Sequence, residues 1–153
     1  EFFARLGFFG IDPNQASGGR RFLQIGRAVM ARPRQALWVT AQGTMADPRQ
    51  RPVQLQPGVA HLSARLTQGV VLPLALEYPF WEEKKPEALA LFGEPMDLAS
   101  FSTRNVSQWH TSLTDALTAT MDRLARCAHA GAAALGVPPV TAASDAASGV
   151  ANT

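Results

Sequence analysis

His110 and Asp115 enclose the stretch HTSLTD, five positions apart. On the right backbone, a carboxylate at that spacing can orient an imidazole so that it takes a proton from a hydroxyl. The surrounding sequence argues against that use. Val106, Trp109, Leu113, Leu117, Met121 and Leu124 recur at three- and four-residue spacing through the same segment, which predicts a helix. Side chains five apart on a helix diverge by about 140°, so the pair reads as ordinary helix-surface residues. His61 reads as a packing or capping residue, and His129 lies near a helix C-terminus. Cys127 is the only cysteine. No intrachain disulfide can form, the chain suits a reducing compartment, and no Cys/His cluster has metal-ligand spacing.

A different chemistry is suggested by Gln42-Gly43-Thr44, which closes the apolar run LWVTA and leads into MADPRQRP, with Arg49 and Arg51. A polar knuckle beside two arginines is either an incidental turn or the lip of a site for an anionic group. The charge distribution bears on that choice. Residues 1–65 carry nine Arg and three acids, whereas residues 66–153 carry five basic and nine acidic groups, for a net charge of +2. An arginine-biased half fits phosphate, nucleotide or an acidic lipid surface, and a plain solvated face is the competing reading.

The elements that must position these residues follow from pattern. Residues 1–9 read as a helix end running into a short strand, FFGI. Asp12-Pro13-Asn14 is turn chemistry. RRFLQIGRAVMARP is an amphipathic helix, with Phe22, Ile25 and Val29 on one face and its arginines largely elsewhere, stopped by Pro33. ALWVTA is predicted as a strand and residues 42–57 as a long polar loop. Gly58 opens a short helix, VAHLSARLTQ, which Gly69 closes. VVLPLALEYPF and ALALFGEP are strands on either side of the turn EEKKPE. Asn105 with Gln108 resembles a capping box for the long helix, which ends near Gly131. The tail VPPVTAASDAASGVANT has too little apolar surface to order itself. Trp38 and Trp81 are expected to pack. No run approaches the length of a membrane-spanning helix, and the apolar burst at residues 2–9 reads as a start inside a domain. The expected fold is α/β, a mixed, largely parallel sheet flanked by helices, followed by a helical extension and a disordered tail. The expected divisions are 1–100, 101–136 and 137–153. In such a sheet, ligands sit at the carboxyl ends of the strands.

FFGIDP, a basic helix, LWVTAQGT, QPGVAHLSA, VVLPLALEY and ALALFGEPM, in that order over about residues 1–97, resemble the glycerophospholipid acyltransferases, enzymes like 1-acylglycerol-3-phosphate acyltransferase. The resemblance implies transfer of a fatty acyl group from acyl-CoA or an acyl-carrier protein to a lipid hydroxyl. It implies no cofactor or metal and no nucleic acid, and it places the protein at the cytoplasmic side of a membrane. The family's general base is a His followed five residues later by an Asp, upstream of the matching region and so expected before Glu1. Asp12 matches an acceptor-binding Asp, although the Arg that usually follows is Pro13. Gln42, Gly43 and Thr44 match a Glu-Gly-Thr whose following Arg, facing the acceptor's phosphate, is Met45 here. Pro73 matches the centre of a Val-Pro-Val strand that supports the site, and Gly58 matches a glycine that starts the next helix. Loss of both arginines removes two bidentate phosphate clamps. Arg49 and Arg51 are the expected substitutes, and uncharged Gln42 suits a less anionic acceptor. The alternative is a non-catalytic lipid- or phosphate-binding module of the same fold.

Overall fold

A computed structural model describes residues 2–5, 7–12, 15–80, 84–100 and 105–131. Pro13, Asn14, Trp81, part of the EEKKPE turn, the end of the helical extension and the whole tail lie outside these residues. The elements run α1 (Phe2–Arg5), α2 (Ala16–Met30), α3 (Gly58–Ser63), β1 (Val70–Val71), β2 (Leu74–Glu77), β3 (Leu89–Phe92), β4 (Met96–Asp97) and α4 (Val106–Ala130).

The long helix forms where the periodicity places it. Asn105 is extended, and its side-chain oxygen accepts from the backbone N–H groups of Ser107 and Gln108, satisfying two donors that helix geometry leaves unpaired. The helix ends before Gly131, whose φ is 81°. One face of α4 holds the core. Trp109 and Leu113 are buried with Ala60, Ala64 and Leu98, and Val59, Val71, Met96 and Val106 pack around them. Further along, α4 covers β2 and β3. α2 joins this body through α3. Phe22 lies against Gly58, and Gly26 lies so close to Leu62 that a Cβ there would sit 2.8 Å from a Leu62 methyl.

The expected parallel sheet is not what forms. Among the described residues there are two separate two-stranded sheets, and both are antiparallel. β1 pairs with β4 (Val70 opposite Asp97), and β2 pairs with β3 (Leu74 opposite Phe92, Glu77 opposite Leu89). Three physical reasons account for the difference. β2 and β3 are separated by eleven residues, 78–88, which suits an antiparallel pair and falls short of the dozen or more that a parallel crossover needs. Pro73 has no N–H to give to a ladder, so VVLPLALEYPF splits into β1 and β2 around it. ALWVTA, the segment that would have supplied the next strand, is not in a sheet. Nor is the FFGI segment: residues 8–12 are irregular. The short helix stops at Ser63, well before Gly69, which instead turns the chain into β1 with φ 118°.

The register explains the burial of β2 and β3. Ala75 and Glu77 are buried on the side that α4 covers. Leu76 and Phe92 belong to the opposite face, alternating as pleating requires, and remain 49% and 51% exposed.

Candidate functional site

Gln42-Gly43-Thr44 forms a tight turn. Gly43 has φ 69°, and its N–H donates to the Thr40 carbonyl at 3.0 Å. The Gln56 N–H donates to the Ala41 carbonyl at 2.8 Å, so the two ends of the 42–57 loop are tied together. A side chain at 43 would be strained by the backbone and would also meet Gln56 Cγ at 2.8 Å. Gln42 is half-buried, Thr44 is exposed, and Met45 projects almost entirely into solvent.

The loop itself is well organised. The Asp47 carboxylate accepts from the Arg49 N–H at 2.8 Å, and the Asp47 carbonyl accepts from the Gln50 N–H, an Asx-type turn. From this turn the two arginines reach carboxylates on other elements. Arg49 donates through Nε and Nη2 to Glu77 Oε1, at 3.3 and 3.0 Å. Arg51 donates through Nε to Asp122 Oδ1 at 2.8 Å, and its Nη1 caps the carbonyls of Pro48 and Gln50. Both arginines expected to face a phosphate are thus held by carboxylates. Arg49 fastens the loop to the end of β2, and Arg51 fastens it to α4.

Pro73 is buried at the start of β2, where its carbonyl accepts from the Gly93 N–H at 2.9 Å. Asp12 lies elsewhere. It lines an open groove of about 800 Å³ with Gly10, Ile11, Gln15 and the Ser17–Ala28 side of α2, including Arg20 and Arg21. None of the other predicted site residues lines that groove. The 10–12 segment rests directly on the first turn of α2, because a Cβ at Gly18 would collide with the Asp12 carbonyl. Asp12 Oδ2 accepts from Gln15 Nε2 at 2.7 Å.

A second groove, of about 350 Å³, lies between Val53–Leu55 and the His110, Thr111, Thr114 and Asp115 stripe of α4. Here His110 has a structural contact. Its Nε2 lies 3.1 Å from the Leu55 carbonyl. A carbonyl only accepts, so Nε2 carries the proton. The ring therefore pins the 53–55 segment onto α4.

Sequence reasoning missed Glu77 and Asp122, the partners of the two arginines. Glu77 carried a signal: strand alternation puts it on the same buried face as Ala75, and a buried carboxylate requires a cation or several donors. Asp122 carried none, since its partner is remote in sequence. Among the described residues, no group of three or more His, Cys, Asp or Glu side chains could hold a metal ion, and no helix is long and apolar enough to cross a membrane. The chain matches no protein-family model, no curated protein and no solved structure.

Proposed function

We propose that this chain supplies the acceptor side of an acyltransferase that moves a fatty acyl group from a thioester to a lipid hydroxyl, and that the acceptor carries little negative charge near Gln42. The ordered series of motifs from FFGIDP to ALFGEP supports the acyl-transfer part of this reading. One geometric observation carries the acceptor part. Arg49 and Arg51, the cations nearest in sequence to Gln42-Gly43-Thr44, are bound to Glu77 and Asp122. A phosphate beside Gln42 would have to compete with those carboxylates. A neutral hydroxyl-bearing lipid needs only the amide of Gln42, which both donates and accepts.

In this reading the general base is not His110. It is the only His in the chain followed five residues later by Asp, and its Nε2 proton faces Leu55. The base then comes from outside residues 1–153, and the chain alone binds without turning over. That behaviour also defines the second reading, a non-catalytic lipid-binding module. It is favoured by the absence of any other His/Asp pair at this spacing.

The test is CoA release from acyl-CoA by the intact gene product carrying this chain, with monoacylglycerol or lysophosphatidic acid as acceptor. Faster release with monoacylglycerol is expected, and His110→Ala should leave the rate within about threefold of wild type, as for a residue outside the chemistry. A preference for lysophosphatidic acid would remove the neutral-acceptor reading. A His110→Ala rate lower by several orders of magnitude would restore that residue as the base. No release with either acceptor, together with retained binding of monoacylglycerol, would favour the binding module.

A further inference from the structure

Six arginines, Arg5, Arg20, Arg21, Arg27, Arg32 and Arg34, fall within residues 5–34, and none of them is ion-paired among the described residues; Arg65 and Arg126 are the other arginines there without an ion pair. Arg49, Arg51 and Arg123, by contrast, all face carboxylates. No acid occurs between Asp12 and Asp47. The unmatched charge is therefore concentrated around α2.

The fold fixes which way that charge points. Phe22 and Gly26 are buried against α3, which turns the opposite side of α2 outward. At about 100° per residue, Arg20, Arg21 and Arg27 share an arc of roughly 120° with Ser17, Gln24 and Ala28. All six are exposed. Beside this arc lies the groove of about 800 Å³, walled by Gly10–Asp12. Its wall carries exposed Ile11 beside the polar side chains of Asp12 and Gln15, and three residues before Ile11 in the chain Phe8 is exposed as well. A row of guanidinium groups next to exposed apolar side chains matches a bilayer surface, where phosphates lie above the acyl boundary.

We propose that the outward face of α2 is a docking surface for a bilayer rich in anionic lipid. Lipid phosphates lie against Arg20, Arg21 and Arg27, and Ile11 and Phe8 enter the headgroup layer. The apolar side of α2 stays in the protein core, so the attachment is chiefly electrostatic and weakens with salt. The inference rests on the placement of charge and stands or falls independently of acyl transfer.

The test is sedimentation of the full 153-residue chain with vesicles of phosphatidylcholine alone or mixed equally with phosphatidylglycerol. Binding to the mixed vesicles only, lost at high salt, is expected. Arg20→Gln, Arg21→Gln and Arg27→Gln together should lower the partition coefficient by about 100-fold, since each basic group near the surface contributes close to a factor of five. The matching triple lysine variant preserves charge and should keep binding within about threefold of wild type. Lys84→Gln, Lys85→Gln and Arg126→Gln together remove the same charge elsewhere and should bind within about threefold of wild type as well. Circular dichroism confirms that each variant is folded. Equal binding to neutral vesicles, an equal loss in the Lys84/Lys85/Arg126 variant, or stronger binding to a short RNA duplex through the same arginines would each overturn the proposal.

Discussion

Arg49 and Glu77 show how one contact can change the meaning of a residue. In the sequence, Arg49 is a free cation beside a polar turn. In the structure its guanidinium neutralises a carboxylate whose side chain is only 8% exposed. The arginine itself is 71% exposed, so solvent screens its half of the pair and the net contribution is modest. Removing it nevertheless leaves a buried carboxylate short of a donor. Arg49→Ala should therefore destabilise the chain by about 1–2 kcal/mol, the low end for a hydrogen bond to a charged group. Adding Glu77→Gln should recover part of that loss, because the orphaned charge is gone. Urea unfolding midpoints of the two variants measure this, and an Arg49→Ala midpoint equal to wild type would show that the pair holds nothing together.

At the scale of elements, α4 and the β2–β3 hairpin approach closely. Gly93 follows β3, and a Cβ there would collide with the Thr120 hydroxyl and come within 3.3 Å of Pro73 Cβ. Thr120 is buried, with its hydroxyl donating to the Ala116 carbonyl at 2.7 Å, so it has little room to move. Gly93→Ala should cost about 1–3 kcal/mol by overpacking, and Thr120→Ala in the same chain should restore part of it. Thermal unfolding of the single and double variants would reveal the coupling, and strictly additive losses would mean that the two residues do not meet. The elements themselves were unevenly legible. α4 and its Asn105 cap, α2 and the β3 strand are all written in local pattern. ALWVTA carries a strand pattern just as strong, yet lies outside both sheets, because strand formation needs a neighbour and pattern alone does not supply one.

At the scale of the whole molecule, the departure from the expected architecture is how many faces of the sheet are covered. A sheet flanked by helices hides both faces. Here α4 covers one face of β2–β3, and Leu76 and Phe92 on the other remain about half exposed. Leu76→Gln and Phe92→Gln should each lower stability by less than about 1 kcal/mol, as surface changes do. Enlarging Ala75 to Leu on the covered face should cost about 1–3 kcal/mol. If the two Gln variants lost as much as core truncations do, about 2–5 kcal/mol, a second covering layer would be present and the one-sided arrangement would be wrong.

The sequence by itself determined what depends on neighbours in the chain. Periodicity and an Asn cap fixed α4, apolar spacing fixed α2, and the counting of acids and arginines located the charge imbalance. Helices and turns close their own hydrogen bonds within a few residues, so they can be read locally. Tertiary structure alone decided the strand partners, the ties from Arg49 and Arg51 to Glu77 and Asp122, and the contact of His110 with Leu55. Each of these joins residues 25 to 71 positions apart, or 12 to 18 in the hairpin. Nothing in the local pattern of either partner names the other, and only the packing of α4 against the loop and the hairpin brings them together.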